Sequence, residues 1–256
     1  MADEILCTIA DHIATITMNR PEKRNAMSTA LLAGLRSSIT ALDENPDVRV
    51  IVIRGAGKAF CSGMDLQEMK ARGGEADPEG NVVEVLQTVE RSKHPTIAMV
   101  QGAAYAGGCE LALHCDLRVA SDVAKFAMPL AKIGLIVPFV LGQKLVEIIG
   151  PAFTRQLLFT GEPFDAKRAY EIGMVHDVVP LEKLEERTYA LARSIAQGAP
   201  LSLAGLKASI QRAISLRDRV EYADLDAAAL RARTSDDAKE GVRAMLEKRS
   251  PNFRGV

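Results

Sequence analysis

The N-terminal part of the chain carries two kinds of hydrophobic pattern. Apolar and polar residues alternate over Ile5–Ala10 and again over Ile13–Met18, with two turn residues between, and this period of two predicts a β-hairpin. Apolar residues then recur at helical spacing over 31–42, after Ser28, whose hydroxyl is a suitable N-cap. Residues 48–54 are rich in β-branched side chains, which indicates a buried strand.

Beyond this strand, short strands and helices alternate. Residues 71–80 lose all periodicity and are rich in Gly, Glu, Asp and Pro, so we expect a mobile surface loop there. Residues 201–249 are almost wholly helical in pattern and strongly charged. The alternation predicts an α/β core, and the tail predicts an appendage that packs on the core or on another subunit. The remaining predicted strands are 96–100, 117–120, 125–128 and 174–179. The remaining predicted core helices are 65–70, 82–91, 139–149, 152–159, 166–172 and 181–197, and residues 102–116 are predicted to run from a glycine-rich turn into an apolar helix.

Composition excludes several classes of protein. Hydrophobic residues make up 48% of the 256, charged residues 25%, and the net charge is −1, which is typical of a soluble globular protein. A nucleic-acid partner is not expected, because the chain lacks a basic surplus. No membrane span is expected either, because the longest apolar run, 133–140, is broken by Pro138 and falls short of the roughly 20 residues required.

The cysteine pattern and the N-terminal residues bear on cellular location. The four cysteines form no CxxC pair and the histidines do not cluster, so neither a metal site nor a disulfide framework is predicted. The first residues show neither a signal peptide nor a transit-peptide composition. We therefore expect reduced, buried thiols in a cytoplasmic protein.

Two strand-to-helix turns stand out as candidate chemistry, at residues 57–66 and 102–111. In the second, Gly107 and Gly108 open a helix, which lets a ligand approach the backbone and leaves unpaired N–H groups pointing at it. Taken alone, such a glycine pair more often reflects tight packing.

The residues in these turns resemble those of the crotonase superfamily, also called the enoyl-CoA hydratase/isomerase family. The similar segments are AFCSGMDL at 59–66 and GAAYAGGCELA at 102–112, and the likeness extends over nearly the whole chain, from NRPEKRNAM at 19–27 to EKRSPNF at 247–253. The resemblance implies a spiral of repeated ββα units over residues 1–196, followed by a C-terminal helical oligomerisation segment over 197–256. It also implies a homotrimer or a hexamer.

The resemblance further implies a binding site for an acyl-CoA thioester. Backbone amides of Ser62 and Gly107 would form an oxyanion hole for the thioester oxygen, and one such donor is typically worth about 3–4 kcal/mol. Neither a metal nor a redox cofactor is implied, since coenzyme A enters as part of the substrate. The basic pair Lys23 and Arg24 would lie near the CoA phosphates or, on the alternative interpretation, form a solvated charged turn. The other implied contacts with substrate or CoA come from Ala26, Gly63, Met64, Asp65, Leu66 and Leu130.

Two carboxylates act in the hydratases of this family, and only one is present here. Glu110 lies one turn into an apolar helix, where a charge is costly unless it has a partner or a task, and the resemblance makes it the first catalytic glutamate. Leu130 occupies the position of the second. His114, one turn beyond Glu110, can approach the same helix face, although a hydrogen-bonded core histidine is the more common case.

Three functions therefore remain open. Hydration of a 2-enoyl-CoA is the leading prediction because it is the commonest activity of the family. Double-bond isomerisation is the alternative that a single carboxylate permits. The third is a catalytically silent acyl-CoA binder. Decarboxylation is weakly disfavoured, because Met64 and Phe139 occupy the neighbourhoods where polar groups would be expected.

Overall fold

A computed structural model describes residues 3–72, 81–214 and 221–254. Residues 73–80 of the predicted surface loop lie outside this description, and residues 71 and 72 end a helix. The strands are β1 (Ile5–Ala10), β2 (Ile13–Met18), β3 (Val50–Gly55), β4 (Thr96–Val100), β5 (Ala103–Tyr105), β6 (Leu117–Ser121), β7 (Lys125–Ala127), β8 (Phe164–Asp165) and β9 (Asp177–Val179). The helices are α1 (Thr29–Asp43), α2 (Leu66–Arg72), α3 (Val82–Arg91), α4 (Gly107–His114), α5 (Phe139–Thr160), α6 (Ala166–Glu171), α7 (Leu184–Ala196), α8 (Pro200–Ile214), α9 (Ala223–Thr234) and α10 (Asp236–Glu247), with short 3-10 helices at Pro21–Lys23, Pro129–Ile133 and Leu181–Lys183.

The larger sheet runs in the order β1-β2-β3-β4-β6-β9. Its first pair is antiparallel and its later pairs are parallel. The antiparallel pair is the predicted hairpin, and Asp11 and His12 turn the chain with φ of 51° and 64°, the left-handed conformation that two-residue hairpin turns require. Strands β5, β7 and β8 form a second, smaller sheet. The predicted α/β fold class is confirmed.

Helices cover both faces of the larger sheet. The principal core includes buried residues of α1, α3 and α4 packed on β2, β3 and β4. On the opposite face, Leu184, Ala192 and Ala196 of α7 contact Val50 and Val52 of β3 in a smaller core. Because the parallel strands are buried on both faces, they carry continuous apolar runs rather than alternating ones.

Local signals set several helix boundaries. The Ser28 hydroxyl accepts a hydrogen bond from the Leu31 amide and so caps α1, as predicted. Two helices were predicted over 139–149 and 152–159, and the segment named α5 indeed consists of two helices that meet at a kink at Gly150. That glycine has φ 69° and precedes Pro151, so the helical conformation breaks where the sequence indicated.

The C-terminal helices pack against the rest of the same chain. A Cβ added at Gly241 of α10 would lie 2.5 Å from the Ile133 Cα atom, so this helix contacts the backbone of the 3-10 helix Pro129–Ile133 directly. Helix α10 also contacts α2 and α9. Among the described residues, none of the helices has the length and apolar character needed to cross a membrane.

Candidate active site

The two glycine-rich turns meet because the strands before them are neighbours. Strands β3 and β4 are parallel and adjacent, so their carboxyl ends lie side by side at one edge of the sheet. The amides of Phe60 and Cys61 both donate to the Ala103 carbonyl at 3.0 Å, and the Tyr105 amide donates to the Cys61 carbonyl at 2.9 Å. These bonds join residues that are more than forty positions apart in the chain.

Gly107 begins α4 at this junction. Ala106, before it, has φ 47° and ψ −119°, a conformation that costs a non-glycine residue about 1–3 kcal/mol and is typical of functional sites. The Gly107 amide has no hydrogen-bond partner within the described residues. It therefore provides a free donor at the positive end of the α4 dipole.

The Ser62 amide is not free. It donates to the Arg24 carbonyl at 3.1 Å, whereas the sequence led us to expect an unpaired donor. The cause is the loop before α1, where Arg24 and Asn25 both adopt left-handed conformations with φ of 52° and 55° and turn the Arg24 carbonyl toward Ser62. The Met64 amide, two residues further on, has no partner among the described residues.

Asn25 anchors this loop, a role that sequence reasoning missed. The side chain is fully buried, and its Nδ2 atom lies 2.9–3.2 Å from the carbonyl oxygens of Ala56, Ala59 and Phe60. Its Oδ1 atom accepts from the Arg20 amide at 3.0 Å. Buried polar groups need such partners. One asparagine thus ties the N-terminal loop to the turn that contains Ser62.

We expect Asn25→Ala to lower the free energy of unfolding by about 2–4 kcal/mol, because it leaves buried backbone groups unpaired and places alanine at positive φ. Asn19→Ala is the matched control and should cost less than about 1 kcal/mol, since Asn19 donates one exposed hydrogen bond, to Asp3. Urea denaturation monitored by circular dichroism measures both. Equal losses for the two variants would contradict the anchoring role.

Some of the predicted site residues line a common cavity and others do not. The cavity has a volume of about 1140 Å³. Lys23, Arg24, Ala26, Gly63 and Asp65 are not among the residues that line it. The predicted residues in its wall are Ser62, Met64, Leu66, Gly107, Glu110 and Leu130.

The residues outside the wall have other contacts. Lys23 donates to Gln67 at 2.9 Å. Asp65 is buried and forms a salt bridge with Arg20 at 3.1 Å, while its other oxygen accepts from the Gln67 amide and so opens α2. The Asp65 side chain therefore holds local structure together.

Much of the remaining wall comes from the C-terminal helices, which sequence reasoning assigned to oligomerisation. Leu230 and Arg233 of α9 and Lys239, Val242 and Arg243 of α10 line the same cavity as Glu110. The spacing of charged residues along these helices did not indicate that they line a cavity. Within the part of the chain that the structure describes, no three metal-ligating side chains cluster in a way that could hold a metal ion.

Glu110 is the buried carboxyl group of the cavity. Its side chain is 1% exposed, and neither carboxyl oxygen has a hydrogen-bond partner among the described residues. Burial raises its pKa well above the ordinary value, and the positive charge of Lys144 opposes that rise. An unpartnered carboxyl in a cavity is costly to keep, which makes Glu110 a candidate functional residue.

Known proteins match this chain over nearly its whole length. The sequence profile of the family described as "Enoyl-CoA hydratase/isomerase" matches residues 8–256. The chain belongs to this family. A probable enoyl-CoA hydratase of Mycobacterium bovis is 34% identical over 254 residues, and a crotonyl-CoA hydratase of Syntrophomonas wolfei is 33% identical over 255. In each case the match covers 98% of both chains.

Solved structures give a second comparison. Methylmalonyl-CoA decarboxylase in complex with 2-nitronate-propionyl-CoA superposes with a TM-score of 0.90 at 28% identity, over 99% of both chains. An enoyl-CoA hydratase/isomerase from Pseudoalteromonas atlantica superposes with a TM-score of 0.89 at 25% identity. The fold is therefore that of the family, and it is shared by relatives named for different reactions.

Leu130 is the residue that the sequence resemblance places at the position of the second carboxylate. It lies in the 3-10 helix Pro129–Ile133 and presents an apolar side chain to the cavity. The other acidic residues that line the cavity within the described part of the chain are Asp226, Asp236 and Glu240, all on α9 and α10. Asp236 forms a salt bridge with Lys239, and Glu240 pairs with Arg243 and Arg249. Among the described residues that line the cavity, none of these acids is an unpartnered carboxylate on the 3-10 helix that carries Leu130.

Proposed function

We propose that this protein catalyses the reversible hydration of a 2-enoyl-CoA thioester, with Glu110 as the proton carrier and no cofactor beyond the CoA of the substrate. The observation that supports it best is the unpartnered Glu110 carboxyl in the same cavity as the free Gly107 amide. The family and the relatives named as hydratases support the same substrate class.

The proposed reaction uses one carboxylate twice. Ionised Glu110 takes a proton from water as the water oxygen attacks Cβ, and the π electrons move to the thioester oxygen. The Gly107 amide donates to that oxygen and stabilises the enolate by about 3–4 kcal/mol. When the enolate collapses, Glu110 returns the proton to Cα.

The Ser62 amide is not fully available to the substrate in this scheme. Because it donates to the Arg24 carbonyl, it can reach a thioester oxygen only by sharing that hydrogen bond or by releasing it. Binding of the substrate would then compete with an internal bond, and we infer that Gly107 supplies the larger share of the stabilisation.

Isomerisation of a 3-enoyl-CoA is the second candidate, and Leu130 favours it. A 1,3 proton shift needs one base, which removes a proton from Cα and returns it to Cγ across the enolate. An apolar residue in place of the second carboxylate leaves no group there to activate water.

The two reactions can be separated with two substrates. We would incubate the protein with a trans-2-enoyl-CoA and, separately, with a 3-enoyl-CoA, and monitor the absorbance of the conjugated thioester. Hydration removes the absorbance from the first, and isomerisation produces it from the second. If acyl-CoA binds and neither substrate reacts, the protein is a binder and both proposed reactions are wrong.

The raised pKa of Glu110 predicts an unusual pH profile. Hydration needs the ionised carboxyl, so kcat/KM should fall as pH is lowered through a pKa well above that of an ordinary glutamate. The measurement is kcat/KM from pH 5 to pH 9. An acid limb at the value of an exposed glutamate would contradict the assignment.

The same ionisation should appear in stability. The folded pKa of Glu110 lies above the unfolded value, so the unfolded state ionises first as pH rises. The free energy of unfolding should therefore decrease between these two pKa values, by about 1.4 kcal/mol per unit of difference. Glu110→Gln should remove this decrease, which urea titrations at several pH values would measure.

A further inference from the structure

His114 lies beside Glu110 at the C-terminal end of α4. It follows Glu110 by one helical turn and is 3% exposed. Its Nδ1 atom is 2.8 Å from the backbone carbonyl oxygen of Glu110. A carbonyl oxygen only accepts hydrogen bonds, so the proton must lie on Nδ1. The contact therefore defines which ring nitrogen carries the N–H group.

The same N–H group faces the carboxyl of Glu110. The distance from Nδ1 to Oε2 is 3.9 Å, which is too long for a hydrogen bond but short enough for a small side-chain rotation to close. Both carboxyl oxygens lack a partner in the described residues. His114 is thus placed between the backbone acceptor that it uses and a carboxyl group that needs a donor.

Lys144 is the cation that acts on Glu110, and its donors are engaged elsewhere. It is 8% exposed, and its Nζ atom lies 2.9 Å from Glu90 Oε1 and 3.1 Å from Glu147 Oε1. Its positive charge reaches Glu110, while its hydrogen bonds go to two other carboxylates. The remaining titratable groups lie on α4, on the elements packed against it and on the strand that follows it. They are Cys109 on α4, Glu84, Glu90 and Arg91 on α3, Tyr105 on β5, Glu147 and Arg155 on α5, and Arg118 on β6.

We propose that His114 is a positioning residue that holds Glu110 in its ionised, reactive orientation by moving its Nδ1–H from the backbone carbonyl to Oε2. While Glu110 is protonated, the N–H stays on the carbonyl oxygen. When Glu110 loses its proton, the charged oxygen becomes the stronger acceptor and draws the N–H toward it. The reactive role rests on the proposed function, but the contact with the carboxyl does not.

Three substitutions test the position of the donor. His114→Leu removes it. His114→Gln and His114→Asn form a matched pair, because the amide of glutamine lies near the position of Nε2 and that of asparagine near the position of Nδ1. We expect the acid limb of kcat/KM to move to higher pH by about one unit in the Leu and Gln variants, a loss of about tenfold in activity at a pH below both limbs. The Asn variant should keep the limb of the parent protein.

A second measurement separates this proposal from the proposed function. The infrared band of the protonated Glu110 carboxyl, assigned by its loss in Glu110→Gln, can be titrated in the absence of any substrate. Its midpoint should move upward in the Leu and Gln variants and stay in place in the Asn variant. If the protein converts neither enoyl-CoA, the proposed function is wrong, but this titration still tests the role of His114.

Two results would overturn the proposal. Unchanged midpoints in all three variants, with only stability lowered, would make His114 a structural residue of the helix. Equal shifts in the Asn and Gln variants would show that the position of Nδ1 has no special effect. If His114→Leu does not fold, the Asn and Gln pair carries the test alone.

Discussion

Glu110→Gln should lower kcat/KM for the preferred enoyl-CoA by about 10²- to 10⁴-fold, the typical contribution of a positioned general acid–base group. Glutamine keeps the shape of the side chain and the packing of α4, but it cannot take or return a proton. Glu110 is the one buried, unpartnered carboxyl among the described residues that line the cavity, so none of the other acids described there is expected to replace it. Acyl-CoA binding should persist, because the Gly107 amide is untouched.

Glu44→Gln is the matched control for this substitution. Glu44 is exposed at the end of α1 and is not among the residues that line the cavity, so its loss should leave kcat/KM within about twofold. Initial rates with both enoyl-CoA substrates measure turnover, and calorimetry with a saturated acyl-CoA measures binding. Full activity in Glu110→Gln would remove Glu110 from the mechanism and with it the proposed function.

Gly108→Ala should lower the free energy of unfolding by about 3 kcal/mol or more. A Cβ atom at this position would lie 2.2 Å from the Cys61 carbonyl oxygen and 2.7 Å from the Cys61 Cβ atom. Neither is the flexible end of a side chain, so α4 and the turn that contains Ser62 must move apart. The same movement displaces the Gly107 amide, and kcat/KM should fall with stability.

Gly205→Ala is the control, since Gly205 lies in α8 with no atom near the added Cβ. Alanine there should raise the free energy of unfolding by about 0.5–1 kcal/mol, because it favours the helix. Chemical denaturation of both variants and of the parent protein gives the comparison. A Gly108→Ala protein as stable as the parent would mean that the two turns can separate without cost.

The similarity to known relatives establishes the fold of this protein but not the reaction that it catalyses. A relative named as a probable enoyl-CoA hydratase is 34% identical in sequence to this chain, and a methylmalonyl-CoA decarboxylase is 28% identical. One fold therefore carries chemistries that share a thioester, and the side chains around the reacting carbons choose among them. In this chain the side chains proposed for that role are Glu110 and the apolar Leu130, with His114 proposed to position Glu110. The substrate comparison and the pH profile are the experiments that test these roles.

Several features could be predicted from the sequence because they depend on neighbouring residues. The β1–β2 hairpin follows from alternation around two turn residues, and the α1 cap follows from the Ser28 hydroxyl. The glycine-rich start of α4 and the buried Glu110 follow from one short motif whose spacing matches a helix. The family assignment, confirmed by comparison, rests on such local segments repeated along the chain.

Only the tertiary structure decided how these segments meet. The Ser62 amide donates to Arg24, Asn25 anchors the turn that follows β3, and α9 and α10 complete the cavity around Glu110. Each of these contacts joins residues that are far apart in the chain. The contacts depend on the left-handed backbone at Arg24 and Asn25 and on the packing of α10 against Ile133. Periodicity and motif spacing report which face of an element is buried and which amide can be free. They do not report which distant carbonyl will accept that amide, because this depends on how closely the two turns approach once β3 and β4 pair.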